Sequence, residues 1–319
     1  MRSIATLSLL ALTLAAPLAG AVTGASADDK QPLRITFVTH DLGAGIFAPV
    51  RLGMEDACAK IKAECEFLGP ATYDPAAQVA LIEAAIAKKP DAIVTTRPDP
   101  SAYNGAIQKA IDSGILVVTF NTNDPAADKK IPLPFVGQNF TNYGIEWAHQ
   151  VMKAMPNGGT MAITDCCFGH YALEERIRAF KDTLQKEGGE KYKVLDVINT
   201  TADESKVFAN VEAYYQAHPD INAIWGVDYY SHVISQFVKK NNLQGKLLTG
   251  GSDMGPGNIE GLKDGYVSFG LGQNPFMQGF YPVMMVYQAK TYGIRPVTID
   301  TGTDVVTPKN FSEYNPKYR

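Results

Sequence analysis

The stretch TDCCFGH, Thr164–His170, holds two adjacent cysteines and, three residues on, a histidine. A thiolate beside an imidazole is a nucleophile with its base. Two thiolates and an imidazole are three of the four ligands of a tetrahedral zinc site. Two cysteines in an oxidising compartment make a disulfide. The nucleophile lacks a third group to orient the base, and the zinc set lacks a fourth ligand. Cys58 and Cys65, seven apart across the end of a helix and the start of a strand, are spaced for a surface disulfide. That pairing would leave Cys166 and Cys167 only each other. Consecutive Cα atoms lie about 3.8 Å apart, below the usual disulfide span of about 4.4–6.8 Å. A vicinal bond stiffening a cleft wall, with Phe168 or His170 near a ligand, therefore stands beside a reduced pair as the two readings.

Other candidates are weaker as chemistry. GAGIFA, Gly43–Ala48, matches the G-x-G-x-x-A nucleotide fingerprint, with Glu64 or Glu66 about twenty residues on. Pro49 opens a helix there, and the stretch reads better as a flexible turn that places Phe47 in a cleft. His40 and Asp41 are adjacent, and neighbouring strand residues face opposite sides. Asp41 is thus read as a ligand contact and His40 as structural. Asp228 and Asp253 each end an apolar run just before a helix, where capping is the ordinary role. They are also the one evident carboxylate pair for glycoside hydrolysis. No Ser-His-Asp set, H-E-x-x-H or C-x-x-C occurs, so the chain is read as a non-enzyme without metal or cofactor.

The elements that must carry these residues alternate regularly. LRITFVT, DAIVTT, ILVVTF, GTMAIT, YKVLDVI, NAIWGV and KLLTG are apolar runs separated by helix-period stretches. Continuous apolar strands between amphipathic helices mean parallel sheets covered on both faces. The fold class is α/β, with two doubly wound parallel-sheet lobes joined by a hinge. Asn121–Phe135, Pro-rich and polar, lies near the crossing between them. Ligands in such sheets bind beyond the carboxyl ends of the strands. The residues there are rich in Asp, Asn, Thr, Arg and aromatics, which suits a neutral polyhydroxylated ligand.

Composition narrows the partners. The 319 residues carry 29 Lys and Arg against 33 Asp and Glu, a net charge of −4 without a basic run. That balance argues against nucleic acid or an anionic membrane as partner. Met1-Arg2-Ser3, an apolar run Ile4–Ala16 and Ala25-Ser26-Ala27 read as a secretory signal over residues 1–27, cut before Asp28. With no Arg-Arg pair, export is expected in the unfolded state, to the periplasm.

GIFAPVRLGMEDA, GILVVTFN, FVGQNFTNYG, EERIRAF, AHPDINAIWGVDYY, LLTGGSD and SFGLGQNP, in this order, carry a resemblance over nearly the whole chain after the signal. The chain resembles the ribose-type periplasmic binding proteins of bacterial ABC sugar importers. The resemblance implies an N-terminal lobe of residues 28–137 plus 274–300 and a C-terminal lobe of 138–273 plus 301–319. It implies a monomer that delivers a monosaccharide or polyol to an ABC permease in the inner membrane. Phe47 would stack on the sugar ring, and Asn121, Arg176, Asp228, Asp253 and Gln273 would contact hydroxyls. Asp41, Arg97, Phe168, His170 and Tyr229 form a second tier, and Tyr230 shares the strand tip with Tyr229. Asn121-Thr122 stands where the family has an aspartate–arginine pair, Asp228 where it has asparagine, and Arg97 where asparagine is common. GAGIF also lacks the family's Asn-Pro-Phe. Another sugar, a polyol or a diketone-derived signal of the autoinducer-2 kind is therefore as compatible as ribose, and Arg97 could meet a ligand carboxylate. An exported hydrolase or lyase using the same cleft is the alternative from another class.

Overall fold

The computed structural model describes residues 31–319 apart from Pro100, Pro125, Ala127, Asp128, Pro316 and Arg319. The segment read as a secretory signal lies outside the described residues. The first sheet contains β1 (Arg34–Val38), β2 (Glu64–Leu68), β3 (Ala92–Arg97), β4 (Leu116–Asn123) and β5 (Phe135–Gly137). Its connecting helices are α1 (Phe47–Ile61), α2 (Pro75–Ala87) and α3 (Asn104–Asp112). The chain then crosses to α4 (Phe140–Ala154), β6 (Gly159–Asp165), α5 (Tyr171–Thr183), β7 (Tyr192–Asn199), α6 (Glu204–Ala217) and β8 (Ala223–Gly226). Next come α7 (His232–Lys240), β9 (Leu248–Ser252), α8 (Pro256–Lys263) and β10 (Gly270–Gly272), which complete that half. It crosses back for α9 (Pro275–Tyr292) and β11 (Ile299–Asp300), and a third time for β12 (Asp304–Val306).

The first sheet runs β11-β5-β4-β3-β1-β2 and the second β12-β10-β9-β8-β6-β7. Every pairing is parallel except β10 with β12. Strand order reverses beside β1 in one sheet and beside β6 in the other, so a crevice opens at the carboxyl ends there. Each sheet has a core on both faces. Phe37, Phe120 and Val286 lie on one side of the first and Ile93, Tyr103 and Ile107 on the other. In the second, Trp147 stacks on Phe180 at 4.2 Å and Trp225 on Phe269 at 5.2 Å. Burial on both sides is why β3 opens on the apolar run Ala92–Val94 and is buried along its whole length.

Local signals set the helix ends. Asp74 caps α2 by accepting from Ala77 N at 3.0 Å ahead of Pro75, and Asp203 accepts from Ser205 N and Lys206 N at the start of α6. The carboxyl end of α1 is tied to the start of β2 by the Cys58–Cys65 disulfide, with Cα atoms 6.4 Å apart. Among the described residues no helix is long and apolar enough to cross a membrane.

Two features differ from the pattern in the sequence. The Asn121–Phe135 segment joins β4 to β5 within one sheet, and the first crossing comes after it, at Gln138. The α9 helix carries Pro282 in its interior yet continues to Gly293, whose φ of 69° ends it.

Candidate ligand cleft

The loops beyond the two reversal points converge on a cavity lined from both sheets. The first sheet supplies Asp41, Phe47 and Asn121. β1 ends at Val38, and Asp41 turns the following loop by accepting from Gly43 N at 2.8 Å and Ala44 N at 3.2 Å. That turn starts α1 with Phe47 against the cavity. Asn121 sits at φ 59° near the end of β4, and its amide donates to Gln273 Oε1 at 3.3 Å and Gln278 Oε1 at 3.1 Å.

The second sheet supplies Cys166, Cys167, His170, Arg176, Asp228, Tyr229 and Asp253. Cys166 and Cys167 are bonded to each other, with Cα atoms 3.8 Å apart. Asp228 accepts from Cys166 N at 2.7 Å and Tyr230 N at 2.9 Å, so it holds the vicinal pair and the next tip in register. Asp253 sits at φ 62° and accepts from Gln273 Nε2 at 2.6 Å. Asn121 and Asp253 are thus non-glycine residues held left-handed at facing tips, the kind of backbone strain that clusters at ligand clamps. Gln273, at the second crossing, joins them.

The halves touch directly as well. Tyr171 N donates to Pro98 O at 3.1 Å, and the Tyr229 hydroxyl lies where a Cβ on Gly45 would be. His40 and His170 meet edge to face at 5.2 Å, with Tyr73 and Phe47 packed around His40.

The structure does not bring Arg97 or Phe168 into the cavity. Arg97 is fully buried within the first half, donating to Asn123 Oδ1 at 2.8 Å and Ile131 O at 3.4 Å. It ties Asn123, at the end of β4, to Ile131 and is not among the residues that line the cavity. Phe168 is 54% exposed on the outer side of its loop. His40, Tyr73 and Tyr230 line the cavity instead. The structural reading of His40 rested on strand alternation, which stops applying once β1 has ended. Tyr73 stands in a loop without periodicity, and no signal in the sequence marks it.

Burial dominates the electrostatics. It pushes Asp228 up to about 7, helped by the charge of Asp165, and Asp165 itself up to about 6. Asp253 and Asp41 are also raised by burial, the former against the pull of Arg176. His170 is pushed down to about 3 by burial and then by Arg176, and His40 well below its usual value by burial and His170. The signs oppose. A carboxyl raised in the fold loses stabilisation as pH climbs from about 4 through its raised value. A depressed histidine contributes above about 6.5 and loses that contribution as pH falls and the unfolded chain protonates. His170→Gln removes one opposing group, so between pH 5 and 6.5 its melting temperature falls with rising pH more steeply than the wild type's. Equal slopes in a thermal-melt series would show that the ring is not buried neutral.

Among the described residues, one cluster has metal-ligand spacing: Asp165, Cys166 and Asp228. The Cys166 sulfur is in a disulfide and Asp228 already accepts two backbone N–H groups, so the donor set is poor.

A family profile described as "Periplasmic binding protein domain" matches residues 35–293. The xylose/arabinose-binding protein XylF of Sulfolobus acidocaldarius is 26% identical over 296 residues, covering 88% of this chain and 72% of that one. A D-ribose/D-allose-binding protein of Pseudomonas aeruginosa is 27% identical over 154 residues, 47% of each chain. Among solved structures, an ABC transporter solute binding protein from Burkholderia graminis in complex with D-arabinose superposes with a TM-score of 0.83. It is 26% identical, and the match covers 89% of this chain and 98% of that one. With two doubly wound halves, three crossings, an enclosed cleft at the strand tips and a match over most of its length, this chain belongs to the periplasmic binding protein domain family.

Proposed function

We propose that this protein is a periplasmic solute-binding receptor that holds a monosaccharide or polyol between two lobes and delivers it, as a monomer, to an ABC import permease. The lobes in this reading are residues 28–137 plus 274–300 and 138–273 plus 301–319. The observation that carries it is a cavity closed from both sheets, in which Arg176 and the carboxylates of Asp41 and Asp253 surround apolar ring faces from Phe47, Tyr73 and Tyr229. Hydroxyls can donate to the carboxylates and accept from the guanidinium, while C–H faces meet the rings. Relatives that bind xylose, arabinose, ribose and allose support the same class. No bond needs to break. A hydrolase reading fares worse, because both Asp228 oxygens already accept from backbone N–H groups.

Charge refines the ligand class. Asp41, Asp228 and Asp253 line the cavity with a single guanidinium, and burial already disfavours their charged forms, so a further ligand carboxylate would be buried against them. A thermal-shift panel of D-arabinose, D-xylose, D-ribose, myo-inositol and D-glucuronate tests both points. A neutral pentose or polyol raises the melting temperature by several degrees at a hundredfold excess over its Kd, and glucuronate does not. A shift with amino acids and with no sugar or polyol overturns the reading.

A further inference from the structure

One ring nitrogen of His40 is already engaged behind the cavity. Its Nδ1 lies 3.0 Å from Thr96 Oγ1 on β3. The same hydroxyl oxygen accepts from Gln78 Nε2 of α2 at 2.9 Å, and among the described residues it has no other partner. All three side chains are buried, Thr96 and Gln78 completely. The Gln78 amide can stand only one way round. Its Nε2 also reaches the carbonyl oxygens of Thr96 at 2.9 Å and Val38 at 3.3 Å, and an oxygen in its place would face two oxygens.

A hydroxyl carries one hydrogen. With Gln78 donating to Thr96 Oγ1, that hydrogen has only His40 Nδ1 to go to. Were Nδ1 protonated, Thr96 Oγ1 would accept twice and its own hydrogen would be buried without an acceptor. Nδ1 therefore accepts, and in a neutral ring the proton then sits on Nε2. Burial, and after it the neighbouring His170, hold His40 well below the usual histidine range, so the ring is neutral. Among the described residues Nε2 has no hydrogen-bond partner, and His40 lines the cavity. Edge contacts with Phe47 at 5.1 Å, His170 at 5.2 Å and Tyr73 at 5.7 Å set the plane of the ring.

We infer that Gln78 and Thr96 fix His40 as the Nε2–H tautomer, and that this N–H donates to a ring or hydroxyl oxygen of the bound sugar. His40 is then a specificity-determining contact, and Thr96 is the positioning residue behind it. The inference rests on the receptor reading. The donor matters because ionised Asp41, Asp228 and Asp253 offer a ligand only acceptors, whereas a sugar ring oxygen has only lone pairs.

The first readout is the ring nitrogen NMR spectrum of the ligand-free protein labelled at histidine, with the His40 signals identified by their loss in His40→Gln. Nε2 carries the proton and Nδ1 does not; the opposite pattern overturns the inference. Thr96→Val removes the hydroxyl and moves both nitrogen signals toward the average of the two tautomers, and Thr96→Ser restores them. Signals that Thr96→Val leaves in place overturn the positioning role. The second readout is titration with D-arabinose, D-xylose, D-ribose and myo-inositol. His40→Asn sets an amide near the place of Nδ1 and leaves that of Nε2 empty, whereas the longer side chain of His40→Gln reaches the place of Nε2. Affinity for whichever of the four binds falls by about tenfold in His40→Asn and by about threefold or less in His40→Gln. Equal losses in the two variants, or a wild-type Nε2 signal that saturating sugar does not move, overturn the donor role while the receptor reading stands. A wild type that none of the four shifts overturns the receptor reading and the donor role with it, and the ligand-free spectrum still decides the tautomer.

Discussion

Arg176→Ala lowers affinity for the bound sugar by about a hundredfold or more and destabilises the protein by about 2–4 kcal/mol. The stability loss follows from burial. Arg176 is 3% exposed, and its removal strips the donor from Gln138 Oε1, while Val227 O keeps its bond from Ser252 Oγ at 2.6 Å. Each buried acceptor left without a partner costs about 1–3 kcal/mol. The guanidinium also covers the Tyr143 and Phe140 rings, so truncation leaves a void beside them. The affinity loss follows from charge. Asp253 is held down only by Arg176 and its Gln273 bond against strong burial, and without the guanidinium it protonates more readily and accepts hydroxyls less well. Titration calorimetry with a sugar from the panel and urea unfolding read the two effects apart. An affinity within about threefold of wild type would show that Arg176 supports the fold without meeting the ligand.

The second large effect concerns the frame beneath the cleft. Gly279→Ala destabilises by about 1–3 kcal/mol although alanine is the better helix former by about 1 kcal/mol. Gly279 lies inside α9, where a Cβ would strike the carbonyl of Val50 and approach Met54 N at 2.8 Å on α1. Gly53 of α1 meets Phe276 of α9 in the same way, so the two helices touch backbone to backbone. Backbone cannot yield as a side-chain end can, and overpacking outweighs propensity. Gly105→Ala in α3 is the control. Nothing lies within 4 Å of its Cβ, and the substitution stabilises by about 0.5–1 kcal/mol. Melting temperatures moving in the same direction for both would remove the argument. Because α1 begins at Phe47 and α9 follows Gln273, Gly279→Ala also shifts the cleft wall and weakens sugar binding.

These particulars show how far residues speak for themselves. The α/β alternation was legible because strands buried on both faces must be apolar throughout, whereas helices between them keep a polar side. β2 stood out from that alternation only through the strand start at Cys65. It is a short edge strand, half-buried and carrying Glu64 and Glu66, so its composition looks like a turn. α9 was hidden by Pro282 and by apolar residues such as Phe276, Tyr281 and Met284 outside its buried face, which blur its periodicity.

The cleft divides in the same way. Residue order alone puts polar and aromatic residues at the carboxyl ends of parallel strands, where sheet topology leaves the crevice. It left Cys166 and Cys167 two readings, a vicinal bond or a reduced pair, and the structure shows them bonded. Arg97 and Arg176, however, are the same residue type at comparable places, one at a strand end and one in a helix start. Packing separates them: Arg97 binds Asn123 and Ile131, while Arg176 lines the cavity. It also left Phe168 exposed and brought His40 and Tyr73 to the cavity. The reason is physical: side chains on strands and helices point with a fixed period, but those on the connecting tips point wherever packing of the other half leaves room.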